Sequence, residues 1–218
     1  MQAMKPSADR ARLTPTSYTL LGLLARRPWS AYELNKYMQL SALRRIWPRA
    51  ESRIYEEPKK LVALRLAALT EEYQGARRRS VYRITAAGRR ALSAWFAEPG
   101  ADLVYEYEPL VKILNGDHCD NSALVALVEE VRRHARDEAR QVIAACEQIL
   151  AEGWRIPETA EHNGLIIGFI RENIEARLRW ADAAEKRLGE RQRGRSETAE
   201  GRARRWYREE IELLRALT

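Results

Sequence analysis

Cysteine is nearly absent from this chain of 218 residues: Cys119 and Cys146 are its two. Two thiols cannot build the disulfide framework of a small secreted domain, and they are too few for a thiolate zinc site. Histidine is as sparse, at positions 118, 134 and 162. His118-Cys119-Asp120 puts three metal-capable side chains in a row, but adjacent residues do not easily turn toward one ion. It reads as a polar loop with a buried thiol, and no metal or cofactor is expected. Cys146 falls on the apolar side of its segment and reads as a small core residue. The 11 glycines form neither a phosphate-cradling loop nor a nucleophile elbow, so enzyme chemistry is not expected. Long hydrophobic runs are missing as well. The longest uncharged apolar stretch is residues 164–170, far below the roughly 18 residues of a spanning helix. Residues 1–12 have no apolar core of signal-peptide type. The expectation is a soluble, reduced, cytoplasmic protein with no membrane partner.

Charge, by contrast, is abundant and unevenly placed. The chain carries 38 Lys+Arg against 31 Asp+Glu, a formal +7. The first hundred residues hold nineteen cations and eight anions, and the remainder holds nineteen and twenty-three. The first part therefore stands at +11 and the rest at −4. A chain shows such asymmetry when one segment meets a polyanion and the other does not. Because 32 of the cations are Arg, a coding bias would produce the same count on a merely solvated surface.

Periodicity supplies the elements. Residues 1–12 have none and read as a flexible arm. Thr14 or Thr16 can cap a first helix, with Pro15 tolerated in its first turn. Tyr18, Leu20, Leu21, Leu23 and Leu24 make that helix apolar over a wide arc, and it ends near Pro28. Ser30-Ala31-Tyr32-Glu33 has the spacing of reciprocal capping and opens a second helix carrying Leu34, Tyr37 and Met38. A third runs from Arg49 or Ala50 to about Ala63, with Ile54, Leu61 and Val62 inward and Pro58 predicting a kink or break. Residues 69–73 and 80–85, around the glycine-containing stretch 74–79, read as a β-hairpin. Thr85 caps the next helix, 86–97, with Leu92, Trp95 and Phe96 buried.

Beyond residue 100 the texture changes to long helices. A short one spans 108–114. Asn121 or Ser122 starts another of about thirty residues, whose Leu124, Val128, Val131, Ala135, Val142, Ala145 and Ile149 keep a heptad-like spacing broken at Glu138 and stopped by Gly153. Its partner begins after Pro157 and carries Ile166, Ile170, Ile174, Arg177, Ala181, Ala184 and Leu188, with Gly189 beyond. Two such stripes need more partners, either a second copy or the N-terminal part of the same chain. Trp95, Trp154, Phe169 and Trp180 read as ordinary core. A polar linker follows, then an amphipathic helix over 202–217.

Helices followed by a basic hairpin and a further helix are the order of a winged helix-turn-helix, whose third helix enters the major groove while the hairpin lies against backbone or minor groove. Arg77, Arg78 and Arg79 fall at the hairpin tip, and Arg44, Arg45, Arg49, Arg53, Lys59 and Lys60 stand ahead of it. The expected fold is mainly α: a winged helix-turn-helix with a two-stranded β-wing over 13–98, an α-helical dimerisation and effector domain over 105–189, and a polar linker with an extra amphipathic helix over 190–218.

Leu20-Leu21-Gly22-Leu23-Leu24, Ser30-Ala31-Tyr32-Glu33-Leu34, Ser52-Arg53-Ile54-Tyr55, Leu61-Val62-Ala63-Leu64, Tyr82-Arg83-Ile84-Thr85-Ala86-Ala87-Gly88-Arg89 and Leu92-Ser93-Ala94-Trp95 stand in the order and spacing of the PadR family of bacterial transcriptional regulators. The chain resembles that family over 13–98, and residues 105–189 resemble the helical C-terminal domain of its virulence-activator-like branch. The resemblance implies a homodimer joined through its C-terminal helices, reading an inverted-repeat operator in double-stranded DNA, and repressing until a small-molecule effector or stress signal releases it. It places Ser52, Arg53 and Tyr55 on the recognition helix and Arg77, Arg78 and Arg79 on the wing. Arg49 and Arg53 are the candidates for base edges, since a guanidinium takes both acceptors of guanine. Ser52, Tyr55, Lys59 and the wing arginines are candidates for phosphates, with Tyr55 equally able to fill the core. Where the family usually ends this helix with glycine, Arg65 stands, implying a strained residue or a different exit. A winged-helix adaptor for another protein, or a DNA binder without operator specificity, is the alternative reading.

Overall fold

A computed structural model describes residues 13–48, 50–74, 77–193 and 197–218, the side chains of 74, 77, 78 and 193 excepted. They divide into two units, Met1–Leu103 and Val104–Thr218.

In the first unit, α1 (Pro15–Leu24) is capped by Thr14, whose hydroxyl accepts from the Ser17 amide while Ser17 Oγ accepts from the Thr14 amide. Ser30 and Glu33 form the same reciprocal cap on α2 (Ala31–Leu40). A short α3 (Leu43–Ile46) follows, which the sequence reading did not anticipate. Next comes α4 (Glu51–Ala63), which runs through Pro58 as one helix. The expected break is absent because Pro58 lies fully buried between Ile54 and Leu61, on the face that α1 and α2 cover. Packing there offsets the lost backbone hydrogen bond. Antiparallel strands β1 (Ala67–Gln74) and β2 (Arg77–Ile84) pair from Ala67↔Ile84 to Gln74↔Arg77. Each strand runs further toward the tip than its composition indicated. Trp29 bridges to Tyr82 through two backbone hydrogen bonds of 3.1 and 2.8 Å, which pins the base of the hairpin to the segment before α2. The unit closes with α5 (Ala86–Trp95), capped by Thr85. Trp95 stacks on Tyr18 with centroids 4.7 Å apart, whereas Phe96, expected inside, is 75% exposed because α5 has ended and turned beneath it. Leu20, Leu21, Leu34, Ile54, Leu61 and Val81 are the centre of this core.

The second unit is helical. A short α6 (Glu108–Leu114) precedes α7 (Asn121–Glu152), which starts at Asn121 as read from the sequence and is capped by Asp120. Helix α8 (Ala160–Arg193) packs along α7 and continues through Gly189, where the sequence reading ended it. The cross-pairs Arg132 to Asp182 and Glu185, and Arg177 to Glu138, run in opposite directions along the two helices and make them antiparallel. The polar interruptions of the two stripes, Glu138 and Arg177, therefore meet each other. Helix α9 (Ala199–Arg215) is capped by Thr198. Three residues read as core are largely exposed: Trp154 at 42%, Phe169 at 56% and Trp180 at 37%. The Cys119 thiol is exposed too, which corrects the buried-thiol reading, and Cys146 is half-buried. Among the described residues no helix is long and apolar enough to cross a membrane, and no three His, Cys, Asp or Glu gather as a metal site.

Candidate nucleic-acid interface

One polar tie seats α4 and another the segment before it: Ser17, fully buried on α1, donates from Oγ to Glu57, and the indole of Trp47, the residue that ends α3, donates to Thr16 Oγ1 at 3.0 Å. Ile54, Pro58 and Leu61 form the buried face at helical spacing. At about 100° per residue, the opposite side consists of Ser52, Glu56, Lys59 and Ala63, all exposed, with Arg53 and Tyr55 on its two flanks. Arg53 is exposed and meets no acid among the described residues. Tyr55 is half-buried. Lys59 donates to Glu56 at 2.7 Å, a bond that raises the ammonium above its ordinary pKa. The middle of the exposed face is thus an ion pair, and its carboxylate is a feature the sequence reading passed over. A helical wheel anchored on Ile54, Pro58 and Leu61 was the signal for it. Arg49 lies outside the described residues.

Past α4, the chain leaves through a Schellman motif. The Leu66 amide donates to Leu61 O and the Arg65 amide to Val62 O, both at 2.9 Å, and Arg65 sits at φ 58°. That is the left-handed position glycine usually fills. Of the two alternatives the sequence left open, the residue is strained and the exit is the ordinary one. Thr85 Oγ1 donates to Arg65 O at 2.8 Å and accepts from the Gly88 amide, so one hydroxyl locks the helix exit to the start of α5. Gly88 is required there: a Cβ would stand 2.1 Å from Leu66 O and 2.8 Å from Ile84 Cγ1.

The arginine triplet opens β2. Arg77, Arg78 and Arg79 pair in register with Gln74, Tyr73 and Glu72, and the side chains of Arg77 and Arg78 lie outside the described residues. Arg79 is directed inward, 3.5 Å from both Glu72 and Glu33, while Arg83 meets Glu72 at 2.5 Å. Glu33 therefore both caps α2 and tethers the wing. Burial alone would raise its carboxyl, but hydrogen bonds from Ser30 and the charges of Arg79 and Arg27 hold it below the ordinary carboxylate value.

A seated, outward-facing helix, a basic hairpin beside it in sequence and a capped helix behind define a winged helix-turn-helix. Residues 20–94 match the transcriptional regulator PadR-like family. Bacillus subtilis PadR in complex with operator DNA is similar in fold, with a TM-score of 0.67 at 18% identity over 79% of this chain and 98% of that one. The same protein in complex with p-coumaric acid gives 0.64 at 18% identity, over 79% and 98%. The Vibrio cholerae virulence activator AphA gives 0.61 at 20% identity, over 80% and 98%. Among curated proteins none matches the sequence significantly.

Proposed function

We propose that the chain is a dimeric, sequence-specific DNA-binding repressor that a small-molecule or stress signal releases. The observation that carries this reading is the exposed face of α4, with Arg53 unpaired among the described residues at its flank, on the segment of the chain that holds +11 of charge. Arg49 and Arg53 read base edges, Ser52, Tyr55 and Lys59 hold phosphates, and Arg77 to Arg79 extend the contact along the backbone. Arg79 serves first as a tether and must exchange Glu72 or Glu33 for a phosphate. The operator complex of the Bacillus subtilis relative supports the DNA reading, and its complex with p-coumaric acid supports release by a small molecule.

The homodimer is supported by apolar surface on the second unit. Leu165, Phe169 and Trp180 follow one another at helical spacing along α8, and Ile143 and Leu150 do so along α7, all exposed in the single chain. Burying such stripes against a second copy would remove them from water. Two copies related by a two-fold axis read an inverted repeat.

The experiment is binding of the full chain to the duplex upstream of its own gene, against random competitor DNA at physiological salt. Preference for the upstream duplex supports the regulator. Equal binding to both, or none, favours a non-specific binder or a protein-interaction adaptor.

A further inference from the structure

Directly opposite the buried face of α4, at about 100° per residue, stands Glu56. It lies in the N-terminal half of the helix, one turn beyond Ser52 and three residues from Arg53. In a helix that enters the major groove, that half meets the base edges. The residue facing farthest from the core reaches deepest, and here it is a carboxylate.

Seating the helix does not require Glu56. Its side chain is 70% exposed and that of its partner Lys59 63%, and an ion pair so exposed adds little to stability. The adjacent Glu57 is the acid tied to Ser17 and Lys60. Lys59 holds Oε1 of Glu56 at 2.7 Å, and Oε2 has no partner among the described residues. An ammonium has three donors, so Lys59 can keep this bond and hold a phosphate as well. The bond orients the carboxylate and offsets its charge. What remains is a group that can only accept, at the tip of a face that otherwise suits anions.

Base edges differ in what they offer such a group. Guanine presents two acceptors, and thymine an acceptor and a methyl group, neither of which a carboxylate can bond. Adenine sets its amino donor beside the acceptor N7, which repels a second acceptor. Cytosine presents its N4 amino donor with no acceptor beside it on its own edge.

We infer that Glu56 is a specificity-determining residue that accepts from the N4 amino group of a cytosine in the major groove. Three residues of helix span about 4.5 Å, which sets this cytosine within about two base pairs of the base that Arg53 meets. The role rests on α4 being the base-reading helix, as proposed above.

The test is in vitro selection from randomised duplex by the full chain and by Glu56→Ala and Glu56→Gln. Affinities are then measured at fixed salt on the selected site, on its single-base variants and on scrambled duplex. The parent is expected to select a site with a cytosine whose replacement by thymine weakens binding about tenfold or more. Glu56→Ala abolishes that discrimination, keeps the remainder of the site and binds scrambled duplex more tightly, because a charge that repels phosphate is gone. Glu56→Gln shifts the preference at that position to adenine, whose N6 and N7 an amide meets together. If Glu56→Ala keeps every single-base preference of the parent, or loses one only at a base other than cytosine, the cytosine contact is overturned and base reading by the rest of α4 stands. A parent chain that selects no site overturns the base-reading helix itself, and the cytosine contact falls with it.

Discussion

Arg65 shows at the scale of one residue how a departure from a pattern becomes a physical quantity. Its left-handed backbone, at φ 58°, is imposed by the two hydrogen bonds that end α4 and by Thr85 gripping its carbonyl. A side chain with a Cβ costs about 1 kcal/mol there relative to glycine. Arg65→Gly is therefore expected to stabilise the chain by about 1 kcal/mol in urea denaturation, and no gain would mean the strain is relieved elsewhere. Gly88 is the opposite case. Alanine there meets the Leu66 carbonyl, an atom of the backbone that cannot rotate away. Gly88→Ala is expected to cost about 1 to 3 kcal/mol, read as a lower urea midpoint. The run Tyr82 to Arg89 was legible in the sequence as a pattern of residues. Its reason was not, because the lock joins Arg65 and Leu66 to Thr85 and Gly88 across some twenty positions.

Elements were most legible where a local signal sufficed. The Ser30 and Glu33 cap holds its reciprocal bonds as spaced, and the apolar stripe of α7 buries Leu124, Val128, Val131 and Ala135. Errors came where tertiary packing overrode the local rule. Pro58 predicts a kink or break, and α4, buried there against α1 and α2, runs through it as one helix; Gly189 predicts an end that α8 runs past. The wing illustrates a third kind of miss, since Glu33 and Arg79 are 46 residues apart and nothing local announces their contact. Together with the hydrogen bonds from Ser30, which weigh more, that contact gives Glu33 a pH consequence. The Glu33 carboxyl lies below its ordinary value when folded, so the stability it contributes is complete above the ordinary carboxylate range and is lost as pH falls through the folded value. Glu33→Gln is expected to lower the melting temperature at neutral pH and to flatten its decline over roughly pH 5 to 3. A decline as steep as in the parent chain would show that other carboxylates carry it. At the wing tip, Arg78→Ala is expected to reduce the salt dependence of DNA binding by about one unit of slope without altering sequence preference, measured by fluorescence anisotropy across a salt series.

For the whole molecule, the formal +7 is the sum of two opposite tendencies. The positive part carries α4 and the hairpin, and the negative part carries the long helices; in the function proposed above, only the former meets phosphate. Charge partition was readable from the sequence by counting. The exposure of Phe169, Trp180 and Leu165 was not, because a stripe at helical spacing looks the same whether it faces its own chain or another. Base reading by α4 rests most directly on Arg53. Its measurement is the affinity of the parent chain and of Arg53→Ala for an operator obtained by in vitro selection and for a scrambled duplex of equal length, at fixed salt. The predicted result is a loss of about 1 to 3 kcal/mol on the operator with little change on the scrambled duplex. An equal loss on both would contradict base reading by α4 and leave Arg53 as a phosphate contact.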